Sequence, residues 1–302
     1  MSLKHDLEVL ARGWRWGRRR LTPASVEQPG PEETDAFPTD WARSTPARAA
    51  RSFILKAGFQ TLLRMELTVS VHGRDVLDEV EPPMLFAANH SSHLDAPLVL
   101  TSLPPSIREK TAVGAAADYF FDVWWRAVGT ALAFNTFPVE RTGSRRSAGP
   151  AAKLIEEGWN ILVFPEGTRS KDGWVGDLRQ GVARLSLEHR IPIVPLALRG
   201  TYPAMPRGRG WPAPGRPPVH VRFGRPIYPS SDETAEDLLE RVKSGLAREL
   251  QEDRTDWWDS LKRQRVGNLT DVSGPKAADW IRKWEASRPL STDGRERVWP
   301  AP

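Results

Sequence analysis

Met84-Leu85-Phe86-Ala87-Ala88-Asn89-His90-Ser91-Ser92-His93-Leu94-Asp95 is the stretch from which the rest of this chain can be read. Five apolar residues run into a turn rich in Ser and His, and a carboxylate follows the first imidazole by five positions. An apolar run that ends in polar residues at a turn is the carboxyl end of a buried strand, where α/β folds gather their chemistry. A histidine is the usual base for taking a proton from a hydroxyl near neutral pH, and a nearby carboxylate fixes its tautomer. On a regular helix a five-residue offset rotates by about 140° and would separate His90 from Asp95. The pair therefore requires His90 in the turn and Asp95 in the first helical turn, which Ser92 and Pro97 allow. The same spacing also permits a plain capping box between Ser92 and Asp95, or a metal cluster of His90, His93 and Asp95.

Downstream segments repeat the strand-then-polar-turn pattern. Phe134 to Val139 reads as a strand ending in Phe137-Pro138-Val139-Glu140-Arg141. Asn160-Ile161-Leu162-Val163-Phe164 is a buried strand by its branched and aromatic run, and it ends in Pro165-Glu166-Gly167-Thr168-Arg169-Ser170. A further apolar run spans Ile191 to Leu198. Arginine at such a turn suits a phosphate, because its planar fork makes paired charge-assisted hydrogen bonds. Gly167 allows positive φ or a close backbone approach. Arg141 can equally be a solvated loop charge beside Arg145 and Arg146, and Glu166 can equally pair with Arg169 as a surface salt bridge worth about 0–1 kcal/mol.

Taken in order, Asn89-His90-x4-Asp95, Phe137-Pro138-Val139-Glu140-Arg141, Phe164 to Ser170 and Ile193-Val194-Pro195 resemble the four motifs of the glycerolipid acyltransferases, typified by 1-acyl-glycerol-3-phosphate acyltransferase. Gln180 to Arg184 also fits, and the resemblance covers about residues 67–228. It departs at Glu140, where the family commonly has aspartate, and His93 sits where members vary. The resemblance implies that His90 is the general base on an acceptor hydroxyl and that Asp95 orients it. Arg141 and Arg169 would hold the acceptor's phosphate, with Glu166, Gly167 and Thr168 lining the same site and Pro195 shaping the acyl-donor side. It implies no metal and no cofactor: the acyl donor, acyl-CoA or acyl carrier protein, is a substrate. The expected reaction acylates a lysophosphatidic acid, giving phosphatidic acid. The same motifs also admit glycerol 3-phosphate, another lysophospholipid or a glycolipid as acceptor, or a non-catalytic basic protein docked on a membrane.

The chemistry needs no protein nucleophile, and no Gly-x-Ser-x-Gly elbow is present. Neither a phosphate-cradling Gly-x4-Gly-Lys run nor a Gly-x-Gly-x-x-Gly fingerprint occurs. The 302 residues suffice for one large α/β domain with tails, and the absence of cysteine excludes disulfides and thiolate ligands. The formal charge of +5 is uneven: Arg12 to Arg20 interleaves arginine with tryptophan, which suits an anionic membrane surface and would equally suit nucleic acid. Membrane lipid, not nucleic acid, is the expected partner. No apolar run follows this stretch, so neither a signal nor an anchor is expected.

Alternating strand and helix patterns predict an α/β fold: a mixed, largely parallel sheet of about seven strands flanked by helices. Residues 1–50 read as a basic, Pro-rich flexible tail, 51–230 as the acyltransferase domain, and 231–302 as a helical extension. Phe53 to Leu67 is an amphipathic helix with Lys56, Gln60 and Arg64 as its polar stripe, too short and charged to span a bilayer about 30 Å thick. Given an acyl-chain substrate, it is expected on the membrane surface. Attachment is expected to be peripheral or monotopic at the cytoplasmic face. Phe120, Phe121, Trp124 and Trp125 are expected in the core or along an acyl tunnel.

Overall fold

The computed structural model describes residues 38–139, 149–253, 257–269 and 271–288. Seven strands form one sheet in the spatial order β1-β7-β6-β2-β5-β3-β4. They are β1 (Thr68–His72), β2 (Leu85–Ala88), β3 (Thr111–Ala116), β4 (Thr136–Val139), β5 (Asn160–Val163), β6 (Ile193–Arg199) and β7 (Pro218–Phe223). All neighbours pair in parallel except β6 and β7. A fully buried central strand reads as a continuous apolar run, and β2, Leu-Phe-Ala-Ala, is buried at every position.

Alternation along the strands sends side chains to two layers. Met84, Phe86 and Ala88 pack with Leu55, Leu63 and Leu98, beneath the N-terminal helical segment and the Asp95–Ser102 helix. Leu85, Ala87 and Ile193 pack on the other face with Ala183, Leu238 and Val242, from the Gly181–His189 and Ala235–Glu252 helices. The last of these helices belongs to the body of the domain. Its start is set by a capping box in which Thr234 and Asp237 satisfy each other's backbone N–H groups. The boundary expected at residue 230 therefore does not divide the core.

Two other expectations change. Among the described residues helical structure begins at Asp40–Arg43 and continues through Thr45–Phe53, a π-helical turn at Ile54–Phe59 and Gln60–Glu66, so the tail expected over residues 1–50 does not extend to residue 50. Arg51 explains why: it is 4% exposed and donates to the carbonyls of Ala131 and Leu132, at the C-terminal end of the Trp124–Phe134 helix. The Ala131 carbonyl also accepts the Asn135 N–H at 2.9 Å, and a cation at this helix end complements the helix dipole. The expected membrane-surface helix instead spends its main apolar face on the core through Leu55, Phe59 and Leu63, leaving Phe53 and Met65 in solvent. The expected aromatic core cluster is also at the surface: Trp124 is exposed, and Phe120, Phe121 and Trp125 are only partly covered. Among the described residues no helix is long and apolar enough to cross a membrane.

Candidate active site

β2 ends at the centre of the sheet, between β5 and β6, and Asn89 extends its pairing by one side chain. The Asn89 amide donates to the Leu198 carbonyl at 2.9 Å and accepts the Leu198 N–H at 2.8 Å. That leaves the next residue, His90, projecting into the turn above the strand ends.

Four contacts fix His90. Its Nδ1 lies 2.8 Å from Asp95 Oδ2. Its backbone N–H donates to Glu166 Oε1 at 2.7 Å, and its carbonyl accepts the Ser170 N–H at 2.7 Å. Its ring stacks on Phe164, with centroids 4.1 Å apart and planes inclined by 24°. A carboxylate at Nδ1 holds the hydrogen on that nitrogen and leaves Nε2 with its lone pair, the tautomer a base needs.

Asp95 is the first residue of its helix and has no exposed surface. Its Oδ2 also accepts the N–H groups of Ser91, at 2.7 Å, and Ser92, at 2.8 Å. Three donors on one oxygen stabilise the ionised carboxylate by charge-assisted hydrogen bonding. The arrangement is not a capping box, since Ser92 Oγ donates to the Met205 carbonyl at 2.8 Å and accepts from the Leu94 N–H. Nor do His90, His93 and Asp95 form a metal cluster. Among the described residues no group of three such side chains is placed to hold an ion.

Glu166 is 6% exposed, and its second oxygen accepts the Gly176 N–H at 2.9 Å. Burial pushes its carboxyl up to about 7, opposed by those two N–H donors. It is not a surface salt bridge with Arg169: each of its oxygens accepts a backbone N–H. Gly167 has φ of +70°, and a Cβ there would lie 2.7 Å from the Arg179 side chain. Thr168 is exposed beside it.

Arg169 is half-buried and forms no ion pair among the described residues. Burial lowers its pKa; Tyr119 opposes that shift and Arg207 adds to it. His93 is held at about 4, mainly by burial and next by the Arg169 charge, so it is neutral at physiological pH. Its ring stacks with that of Tyr119 at 6.4 Å.

Arg207 opens the basic loop Arg207-Gly208-Arg209-Gly210-Trp211, and the fold brings it and Tyr119 to this group. Arg207 is exposed and lies within electrostatic reach of both Arg169 and the Tyr119 hydroxyl. It arrives there because Ser92 grips the Met205 carbonyl and Ser91 Oγ meets Thr201 Oγ1 at 2.8 Å, docking that segment onto the histidine turn.

Pro195 stands apart from this group. It is buried in β6 opposite Ala87 and packs its ring against Gly224 and Gly245, so its place is in the core and not along a donor channel. Arg141 lies outside the described residues. Part of the expected helical extension, carrying Arg282, docks on the loop that follows Ser170. Arg282 donates to Asp172 at 2.6 Å, and Trp174 Nε1 donates to the Arg282 carbonyl at 3.0 Å.

A family model described as Acyltransferase matches residues 68–199. The chloroplastic 1-acyl-sn-glycerol-3-phosphate acyltransferase of Brassica napus is 29% identical over 184 residues, which is 60% of this chain and 50% of that protein. Its counterpart in Arabidopsis thaliana is 27% identical over 187 residues, 60% of this chain and 49% of that protein. The chain thus spans about half the length of the curated relatives it matches. The crystal structure of the 1-acyl-sn-glycerophosphate acyltransferase PlsC from Thermotoga maritima superposes with a TM-score of 0.53. It is 25% identical, covering 72% of this chain and 83% of that one.

Proposed function

We propose that this protein is an O-acyltransferase of the glycerolipid family that makes phosphatidic acid, on the premise that residues 68–199 match the Acyltransferase family model. It takes a fatty acyl group from acyl-CoA or acyl carrier protein and places it on the free hydroxyl of a lysophosphatidic acid. The observation that carries this reading is the clamped His90–Asp95 pair beside Arg169, a half-buried cation with no ion pair among the described residues.

The steps follow from the geometry. His90 Nε2 takes the proton of the acceptor hydroxyl as its oxygen attacks the thioester carbonyl carbon. Asp95 stabilises the imidazolium through Nδ1–H without taking its proton. The tetrahedral intermediate collapses, the C–S bond breaks, and the departing thiolate takes the proton from Nε2, leaving an ester and a free thiol. Arg169, with Arg207 and Arg141, holds the acceptor's phosphate by charge-assisted hydrogen bonds. Both substrates carry acyl chains, so the protein works at a lipid surface, peripherally and at the cytoplasmic face. The exposed Phe53 and Met65 and the half-covered aromatics next to Tyr119 support that placement.

Thiol release from acyl-CoA by the purified protein tests the reading. Release should depend on added lysophosphatidate and yield phosphatidate in equal amount. Release at the same rate without an acceptor would identify a thioesterase instead.

A further inference from the structure

Away from the catalytic turn, a cleft of about 310 Å³ runs between the Gln60–Glu66 helix and β1, the edge strand of the sheet. Its apolar lining includes Leu63, Leu67 and Val71, and three arginines, Arg64, Arg74 and Arg216, also line it. No carboxylate does. Arg64 and Arg74 form no ion pair among the described residues. Arg216 is held at φ of +52°, where a non-glycine residue is uncommon, and donates to the Arg64 carbonyl at 2.9 Å. Thr68 fixes its backbone by bonding the Arg216 and Pro217 carbonyls. Three like charges gathered over aliphatic side chains without an acid repel one another, and an anion among them relieves that repulsion.

The lining narrows the chemistry of the ligand. It holds no aromatic ring on which a base could stack, which argues against nucleic acid. A free phosphate would leave the partly exposed Val69 and Val71 side chains of the cleft in water. Met65, on the same helix, is 66% exposed.

We propose that this cleft is a second, non-catalytic site that grips the headgroup phosphate of an anionic membrane phospholipid, its apolar lining taking the first part of an acyl chain. Thr101 and Ser102, at the far end of the helix that begins with Asp95, also line the cleft. That separates it from the catalytic turn by about 10 Å along the helix axis. Bound there, the lipid would hold the protein on the membrane while the catalytic turn stays free for substrate.

Flotation of the full chain with phosphatidylcholine vesicles, with and without phosphatidylglycerol, tests the proposal. Phosphatidylglycerol is neither acceptor nor product, so the catalytic site does not contribute. The triple variant Arg64→Gln/Arg74→Gln/Arg216→Gln should bind the anionic vesicles at least about tenfold more weakly. Its binding to pure phosphatidylcholine and its turnover of a short-chain, water-soluble lysophosphatidate should not change. Should the triple variant not fold, Arg74→Gln alone, at an exposed position, should weaken anionic binding about threefold. Unchanged binding by whichever variant folds would overturn the proposal, as would an equal loss on both vesicle types. Displacement of the wild type from vesicles by inorganic phosphate or by CoA would also overturn it, reassigning the cleft to a soluble anion. The catalytic reading is tested separately, by turnover, and can stand whichever way this result falls.

Discussion

Glu166 Oε1 accepts the backbone N–H of His90 at 2.7 Å, across 76 positions of sequence. With Oε2 on Gly176 N–H, the carboxylate ties the third motif's turn to the catalytic one. Replacing it by alanine leaves two part-buried N–H groups unpaired, each costing about 1–3 kcal/mol. Glu166→Ala should therefore unfold at lower urea and lose at least about tenfold in kcat, with acceptor KM changed less than about threefold. A raised KM at constant kcat would instead make Glu166 a substrate contact.

The same carboxyl links stability to pH. Its pKa stands at about 7 in the folded protein against an ordinary 4.5, so the native state binds this proton more tightly than the unfolded chain does. That contribution is complete below about pH 4.5 and is lost as pH rises through 7. Compared with Glu166→Gln, the wild type should lose on the order of 2–3 kcal/mol of unfolding free energy between about pH 5 and 8. Parallel stability curves for the two proteins over that window would show that burial does not govern this group.

Asp95 gathers three donors on one oxygen. Asp95→Asn keeps the shape but removes the charge that fixes the histidine's tautomer and supports its protonated form. We expect kcat to fall by about two to four orders of magnitude with acceptor KM nearly constant. A loss smaller than tenfold, measured by steady-state thiol release, would mean that His90 does not depend on this carboxylate.

Arg169 and Arg207 are expected to read the phosphate. Arg169→Ala should raise the KM for lysophosphatidate about 10- to 100-fold and leave the slow acylation of an uncharged monoacylglycerol unchanged. Arg207→Ala, at an exposed position, should have a smaller effect that fades with added salt. Equal effects of either substitution on charged and uncharged acceptors would remove both residues from phosphate recognition.

Local pattern made some of this legible and long-range contact hid the rest. β2 and β5 announce themselves as short apolar runs, and the His90–Asp95 spacing makes sense only across a strand-to-helix turn, which is where it lies. The role of Glu166 was hidden because its partner is a backbone N–H brought near by the parallel pairing of β2 with β5. Arg207 is legible as the start of a basic loop, but its place beside Arg169 is not, because a serine in the first motif positions that loop through the Met205 carbonyl. The helix through Arg51 was masked by a Pro- and Ala-rich composition, and the carbonyls that fix it lie 80 and 81 residues away. Pro195 was misplaced for the opposite reason: its motif suggested a donor channel, while the chain needed a ring to fill the gap over Gly224 and Gly245.

His90→Ala is the most direct measurement. The substitution removes a ring with 19% exposure and leaves the backbone bonds to Glu166 and Ser170 available, so the variant should fold with nearly wild-type urea resistance. Lysophosphatidate-dependent release of thiol from acyl-CoA should fall to background. A folded His90→Ala protein that keeps most of its turnover would contradict the account.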